Sequence, residues 1–271
     1  MQLLPFIKMH GLGNDYVYID CFLPATAMVA QIDLAALARN VSDRHFGIGS
    51  DGLVLILPDK DTDACMRMFN ADGSEAQMCG NAIRCVGKYL YESGLCHREQ
   101  LRIKTLSGIR TLDLHVSDGV VGQVTVNMGQ PRITQDLLYL DGRPMPFVAV
   151  NTGNPHAVFF RDSIPAEEFP ALGERIGTNP HFLEGTNMEF VRLHNERELS
   201  LRVWERGTGE TMACGTGACA AAVAAMWLGK AQRQVTVHLR GGDLAVDWDT
   251  KTGFIYMTGP ATEVFRGEYH L

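Results

Sequence analysis

The chain is written mostly in short apolar runs, several alternating with polar positions and punctuated by turns such as Ser117-Asp118-Gly119 and Gly241-Gly242-Asp243. Runs rich in Val, Ile, Leu, Phe and Tyr with a period of two predict strands. In the first half these are Tyr16–Ile19, Gly52–Leu57, Ala64–Phe69, Leu101–Thr105, Thr111–Val116 and Gln123–Asn127. The second half offers Val148–Val150, Ala157–Phe160, Met188–Leu193, Glu198–Trp204, Gln234–Leu239, Leu244–Asp247 and Phe254–Thr258. Two long segments break this rhythm. Gly80–Glu92, stopped by Ser93-Gly94, and Gly215–Leu228, stopped by Gly229, predict helices, because a glycine just past the last turn ends a helix readily. Ala213–Ala225 carries no charge, which predicts a helix buried in its own half and wrapped by the strands. Shorter helices are expected near Asp33–Asn40 and Ala166–Ile176.

The same pattern occurs twice. Gly13-Asn14-Asp15-Tyr16-Val17 has a partner in Gly153-Asn154-Pro155-His156-Ala157, at an offset of 140. Gly49–Val54 matches Gly185–Phe190 at an offset of 136. The segments beginning at Arg67 and Arg202 match at 135, pairing Arg67 with Arg202, Glu75 with Glu210, Cys79 with Cys214 and Gly80 with Gly215. Ordered matches at nearly one offset point to two homologous halves, too long for a solenoid repeat. The expected division is 1–128 and 129–259, with 260–271 returning to the first half and the junction near Gly129-Gln130-Pro131. The fold class is α+β.

Composition narrows the function classes. Of 271 residues, 46% are hydrophobic and 20% charged, enough for a packed core. The net charge of −7 argues against a nucleic-acid binder, which needs a basic patch. No run approaches the roughly 18 apolar residues that span a bilayer. The opening MQLLPFIKMHGLGND reads as no signal peptide, so a cytoplasmic protein is expected. Seven cysteines, an odd number with no CxxC pair, fit free thiols in a reducing compartment. Cys79/Cys85 and Cys214/Cys219 are spaced so that a helix separates their side chains, which argues against a shared metal.

Cys79 and Cys214 each stand before a glycine at the start of a long helix. A helix N-terminus presents unpaired N–H groups and a partial positive charge. Both favour a thiolate, and the same donors hold a carboxylate. Two opposed thiols suggest one reaction: a thiolate removes a proton from carbon while the other thiol returns one to the opposite face, inverting the centre. The bland alternative is that both cysteines merely cap alanine-rich helices. Matched placement in duplicated halves favours the chemical reading. Cys21, Cys65 and Cys96 read as incidental, and Cys85 and Cys219 as facing the inside of their helices. Asp72 and Glu75 read as turn and helix-entry residues.

MHGLGND, RHFGIGSDGL, FNADGSEAQMCGNAIRC, TGNPH, GTNMEF, WERGTGETMACGTGACA and GPATEVFRGEY together resemble the diaminopimelate epimerase family over nearly the whole chain. The resemblance implies two pseudo-symmetric domains, each a mixed β-sheet or barrel wrapped around a central α-helix. It implies interconversion of LL- and meso-2,6-diaminopimelate in lysine and peptidoglycan synthesis, without pyridoxal phosphate or metal, and a possible homodimer. It makes Cys79 and Cys214 the catalytic pair, with Gly80-Asn81 and Gly215-Thr216 donating to the reacting carboxylate. Asn14, Asn70, Asn154, Asn187 and Arg206 match substrate-binding positions. Glu205 matches a residue that contacts the reacting amino group, and His156 one that tunes the cysteines. Many members carry Gln where Gly52 stands, so that contact is absent here or made by backbone. Alternatives remain open: an epimerase or racemase of the same fold acting on another amino acid, or a thiol redox protein using Cys79 and Cys214. Singly, Asn14, Asn154 and Asn187 also suit turns, Glu205-Arg206 a solvated ion pair, and His156 a core histidine.

Overall fold

The computed structural model describes residues 2–163 and 167–271. The chain forms two compact units, Met1–Val126 with Gly259–Leu271, and Asn127–Thr258. In the first unit come β1 (Leu3–Gly11), β2 (Asn14–Asp20), a 3-10 turn (Pro24–Gln31), α1 (Leu34–Ser42), β3 (Gly52–Leu57), β4 (Ala64–Asn70), β5 (Glu75–Ala76), α2 (Gly80–Glu92), β6 (Gln100–Thr105), β7 (Gly108–Ser117) and β8 (Val120–Gly129), within which the boundary falls. The second holds β9 (Arg132–Leu140), β10 (Arg143–Asn151), β11 (Pro155–Phe160), α3 (Phe169–Gly177), β12 (Asn187–Asn195), β13 (Glu198–Glu205), β14 (Gly209–Glu210), α4 (Gly215–Trp227), β15 (Gln234–Leu239), β16 (Gly242–Trp248) and β17 (Ile255–Gly259). The last strand, β18 (Thr262–His270), pairs with β1 of the first unit.

Each unit is a mixed sheet with the same connectivity. β1–β2 is antiparallel, β2–β3 parallel, β3–β4 antiparallel and β4–β6 parallel. β10–β11, β11–β12, β12–β13 and β13–β15 repeat that series. β18 on β1 has its counterpart in β9 on β10, both antiparallel. Strand register also corrects one alignment. Val54 lies opposite Tyr18 and Met68, and Glu189 lies opposite Val158 and Val203. Val54 and Glu189 are therefore equivalent at an offset of 135, not the 136 read from Gly49–Val54 against Gly185–Phe190. Tyr16 and His156 stay equivalent at 140.

The central strands are buried on both faces, so they read as nearly continuous apolar runs. Alternation assigns the faces. Val17, Ile19, Leu53 and Leu55 pack with Leu37, Ala38 and Val41 of α1. Tyr18 points the other way and donates from its hydroxyl to Ala82 O in α2 at 3.3 Å. In the second unit Ala157, Phe159, Met188 and Phe190 pack with Phe169 and Ile176 of α3, which sends His156 and Glu189 toward α4.

α2 and α4 are the wrapped helices. α2 is buried from Gly80 to Leu90, including Arg84 and Lys88. Arg84 donates to Pro260 O at 3.0 Å, and Lys88 to Val121 O at 2.8 Å. α4 is buried from Gly217 to Met226 and packs against β10–β13, β15 and β16. Its alanines let strands approach on every side. Among the described residues, no helix is long and apolar enough to cross a membrane.

The predicted strands and long helices are present with ends moved by a few residues, and α4 stops at Trp227 rather than Leu228. α1 is Leu34–Ser42, capped by Asp33 Oδ1 accepting from Ala35 and Ala36 N–H at 3.0 and 3.1 Å. The helix expected over Ala166–Ile176 begins outside the described residues, and α3 runs Phe169–Gly177. β1, β9 and β18 were not anticipated: Pro5 interrupts β1, and the outer strands β9 and β18 are largely exposed and polar. β5 and β14, two residues each, are too short for any periodicity.

Gly52 has a packing reason. A Cβ there would lie 2.1 Å from Phe69 O and 3.0 Å from Tyr16 Cε1. The backbone of β4 thus occupies the place of a side chain, and the Gln contact implied by the resemblance is excluded at this position. Gly52→Ala is expected to destabilise the fold by roughly 1–3 kcal/mol, the cost of overpacking a rigid core. An unchanged thermal melt would show that β4 yields freely.

Candidate active site

In the first unit the site gathers around the start of α2. Cys79 is the N-cap, with extended backbone angles (φ −132°, ψ 124°). The first intrahelical bond is Ile83 N–H to Cys79 O at 3.0 Å, so the N–H groups of Gly80, Asn81 and Ala82 precede the ladder. The Cys79 thiol donates to Asn14 Oδ1 at 3.4 Å, and Asn81 Nδ2 donates to the same oxygen at 3.2 Å. Asn14 is oriented by Asp51, whose Oδ2 accepts from Asn14 Nδ2 at 2.8 Å and from Asp15 N–H at 3.0 Å. Arg44 bridges Asp15 and Asp51 at 2.8 and 2.9 Å, and Lys8 reaches Asp15 at 2.5 Å. Burial raises the Asp15 carboxyl, but Arg44 and Lys8 overcome this and hold it below the usual range. Burial, then the neighbouring Cys79 and Asp51, pushes the Tyr16 phenol well above its ordinary value.

In the second unit the corresponding residues surround the start of α4. Cys214 is again the N-cap, and Ala218 N–H to Cys214 O at 2.9 Å opens the ladder. Cys214 Sγ accepts from Gly217 N–H at 3.4 Å and lies 3.5 Å from Thr216 Oγ1. Asn154 Nδ2 donates to Thr216 Oγ1 at 3.4 Å. His156 stands between Asn154 Oδ1, 2.9 Å from Nε2, and Glu189 Oε1, 2.7 Å from Nδ1. Thr211 donates to Glu205 Oε1 at 2.5 Å. A Cβ on Gly217 would meet Glu189 Oε1 at 2.9 Å and Cys214 Sγ at 3.3 Å, so glycine lets the carboxylate and the thiol crowd the first turn.

The expectation that the helix N-terminus draws both thiols toward neutrality fails at Cys214. Burial, then the carboxylates of Glu205 and Glu189, pushes this thiol well above the ordinary range, against the pull of Thr216 and Gly217 N–H. The neighbours behave consistently. Burial raises Glu205, offset by the Thr211 hydrogen bond, and burial raises Glu189, offset by His156.

Within the first unit, the resemblance-derived set brings Asn14, Cys79, Gly80 and Asn81 together. Asn70 is instead exposed, its amide donating to Ser74 Oγ at 2.9 Å. In the second unit Asn154, His156, Glu205, Cys214, Gly215 and Thr216 share one cluster. Asn187 is buried and joins Glu205's neighbour, accepting from Arg206 N–H at 2.9 Å. The Arg206 side chain donates to Glu184 O at 2.8 Å, so it is not the solvated partner of Glu205. Asp72 forms the expected turn with Ser74 N–H at 2.8 Å, but Glu75 is no helix-entry residue: it pairs with Arg67 at 2.7 and 3.0 Å, as Glu210 does with Arg202 at 2.9 and 3.0 Å. Sequence reasoning missed Asp51, Glu189 and Thr211. Each lies inside a quoted motif, but its partner is fixed only by the fold. Cys85 and Cys219 are fully buried, as expected.

The fold is one that solved epimerases share. A crystal structure of a hydroxyproline epimerase from Agrobacterium vitis with bound trans-4-hydroxy-L-proline matches with a TM-score of 0.76, covering 98% of this chain and 92% of its own at 16% identity, a likeness of fold. The family model described as diaminopimelate epimerase matches residues 6–134 and 148–264. A diaminopimelate epimerase of Pelotomaculum thermopropionicum is 48% identical, covering 97% of this chain and 98% of its own. One from Phocaeicola vulgatus is 47% identical, covering 99% of each. The chain belongs to the diaminopimelate epimerase family.

Because the Cys214 thiol is raised, its alkylation in the free protein is expected to be slow at neutral pH. Its rate should climb only above the ordinary cysteine value of about 8.5. Iodoacetamide labelling followed by peptide mass mapping across pH reads this directly, and rapid labelling at pH 7 would contradict it.

Proposed function

We propose that this isomerase interconverts LL- and meso-2,6-diaminopimelate, with Cys79 and Cys214 as a thiolate/thiol pair acting on opposite faces of the α-carbon. The observation that carries the reading is the repetition of one device, a cysteine capping a buried helix beside an asparagine, at equivalent places in two units of an epimerase-family chain. An α-proton beside a carboxylate is weakly acidic. Removing it requires a base held in place and donors aimed at the carboxylate where negative charge grows. The N–H groups of Gly80-Asn81 and Gly215-Thr216, at helix N-termini, suit that task.

Amides both donate to carboxylates and accept from ammonium groups, so Asn14, Asn70, Asn154 and Asn187 suit a substrate with two zwitterionic ends. Arg206 takes the far carboxylate, exchanging its bond to Glu184 O for paired bonds to the ligand. Glu205, carboxyl held by Thr211, takes the reacting amino group. His156 acts on the cysteine beside it. With Cys214 held as the thiol in the free protein, it is placed to return a proton when Cys79 takes one. The reverse reaction exchanges the roles. An odd number of cysteines with no CxxC pair fits a cytoplasmic enzyme. The exposed apolar side chains Leu3, Val264 and Phe265 on β1 and β18 fit a homodimer.

The test is NMR of the reduced protein with meso-diaminopimelate in D₂O. Wild type is expected to lose the α-proton signal and form the LL isomer. Cys79→Ala and Cys214→Ala are each expected to lose turnover by roughly 10²–10⁴-fold, the contribution of a positioned acid or base. Folded wild type that exchanges no α-proton of diaminopimelate, yet turns over another amino acid, would move the reading to that substrate.

A further inference from the structure

The duplication supplies an internal control for the second unit. Its buried pair His156 and Glu189 stands where the first unit has Tyr16 and Val54. All four are buried: Tyr16 at 5%, Val54 at 0%, His156 at 2% and Glu189 at 0% exposure. The same strand pair, against the same kind of helix, is therefore built without ionisable groups other than a phenol. Burying a carboxylate completely is costly unless it is paired. Packing does not require Glu189 here, since valine does the same structural work in the first unit.

The hydrogen-bond pattern says what it does instead. Asn154 gives its NH₂ group to Thr216 Oγ1 at 3.4 Å, which leaves Oδ1 turned to His156 Nε2 at 2.9 Å. On the other side of the ring, Nδ1 meets Glu189 Oε1 at 2.7 Å. Both ring nitrogens face oxygen acceptors, so both carry protons. A neutral imidazole has one N–H and leaves one of these contacts as two lone pairs in opposition. Glu189 supplies the negative charge that a buried imidazolium needs, and its other oxygen, Oε2, has no hydrogen-bond partner.

We infer that Glu189 is a positioning residue of this site, holding His156 as an imidazolium that fixes the Asn154 amide and places a positive charge beside Cys214. The groups that face the ring are Asn154, in the turn before its strand, and Glu189 on β12; Glu205 at the end of β13 acts on it through space, and Thr216 of α4 is reached through Asn154. Among these His156 is the cation. It answers the burial and the two carboxylates that hold Cys214 as a thiol, so that a thiolate can form there during turnover. This rests on the reading of α4's first turn as a catalytic half-site.

The test compares wild type with Glu189→Val, which copies the first unit, and Glu189→Gln, which keeps a hydrogen bond without the charge. In wild type labelled with ¹⁵N-histidine, both His156 ring nitrogens are expected to carry protons at neutral pH; in both variants one loses its proton. Glu189→Val is expected to melt no lower than wild type. Turnover (kcat/KM) is expected to fall roughly ten- to hundredfold in both, the scale of a lost hydrogen bond to a charged group. A bare ring nitrogen on His156 in wild type would overturn the inference. So would a Glu189→Val chain that fails to fold, which would make the pair structural, or Glu189→Gln with wild-type turnover. Should wild type not act on diaminopimelate, the preceding reading fails while the NMR comparison still decides this one.

Discussion

A helix buried along its whole length meets solvent only at its ends, and both units are arranged around that constraint. α4 carries no charge and little side-chain bulk over most of its length, so strands close over it on every side, leaving a half-buried Thr216 at its start and an exposed Trp227 at its end. Those first N–H groups have no carbonyl behind them in the helix. Whatever stands before them is exposed to their donors and to the helix dipole. In both units that residue is a cysteine, and the strands bordering the helix end deliver an asparagine to it. The core and the chemistry are thus parts of one arrangement: the strands that bury the helix are those that bring side chains to its start.

The two units meet the constraint differently. α2 is as deeply buried as α4 but includes Arg84 and Lys88, and each needs partners in the interior. Arg84 reaches Pro260 O and Gly80 O at 3.0 and 3.3 Å, and Lys88 reaches Val121 O and Glu92 at 2.8 and 2.7 Å. These bonds tie α2 to β8 and to the segment leading into β18.

Much of this was legible in the sequence because periodicity reports burial. Gly52–Leu57 and Gln234–Leu239 are strands at the expected residues, and Gly80–Glu92 is the expected helix. What stayed hidden follows from the same cause. β9 and β18 are mostly exposed, so no apolar rhythm marks them. The site divided along similar lines. That Cys79 and Cys214 open the two wrapped helices was readable from their place before a glycine and a helical run. The partners that govern them were not: Asp51 meets Asn14 across 37 positions and Glu189 meets His156 across 33, and only the strand pairing β2–β3 and β11–β12 makes these neighbours. The raised Cys214 thiol was hidden for the same reason, since a helix start announces a dipole, while the opposing carboxylates arrive from other strands.

A duplicated fold begins with equal halves, and these two have diverged. The differences lie at the residues that face the cysteine-capped helices rather than in the frame. Asn70 at the end of β4 corresponds to Glu205 at the end of β13, Tyr16 to His156 and Val54 to Glu189, while the pairs Arg67–Glu75 and Arg202–Glu210 that brace the two frames are kept. Two of these changes add a carboxylate to the second unit, and the third exchanges a phenol for an imidazole. Side chains that meet Cys79 include the Asn14 amide and the Tyr16 phenol; those that act on Cys214 include the carboxylates of Glu205 and Glu189 and the Thr216 hydroxyl. Holding a carboxylate with no exposed surface next to a histidine is costly to the fold. That cost is incurred in one unit alone, where it bears on the protonation of a single sulfur.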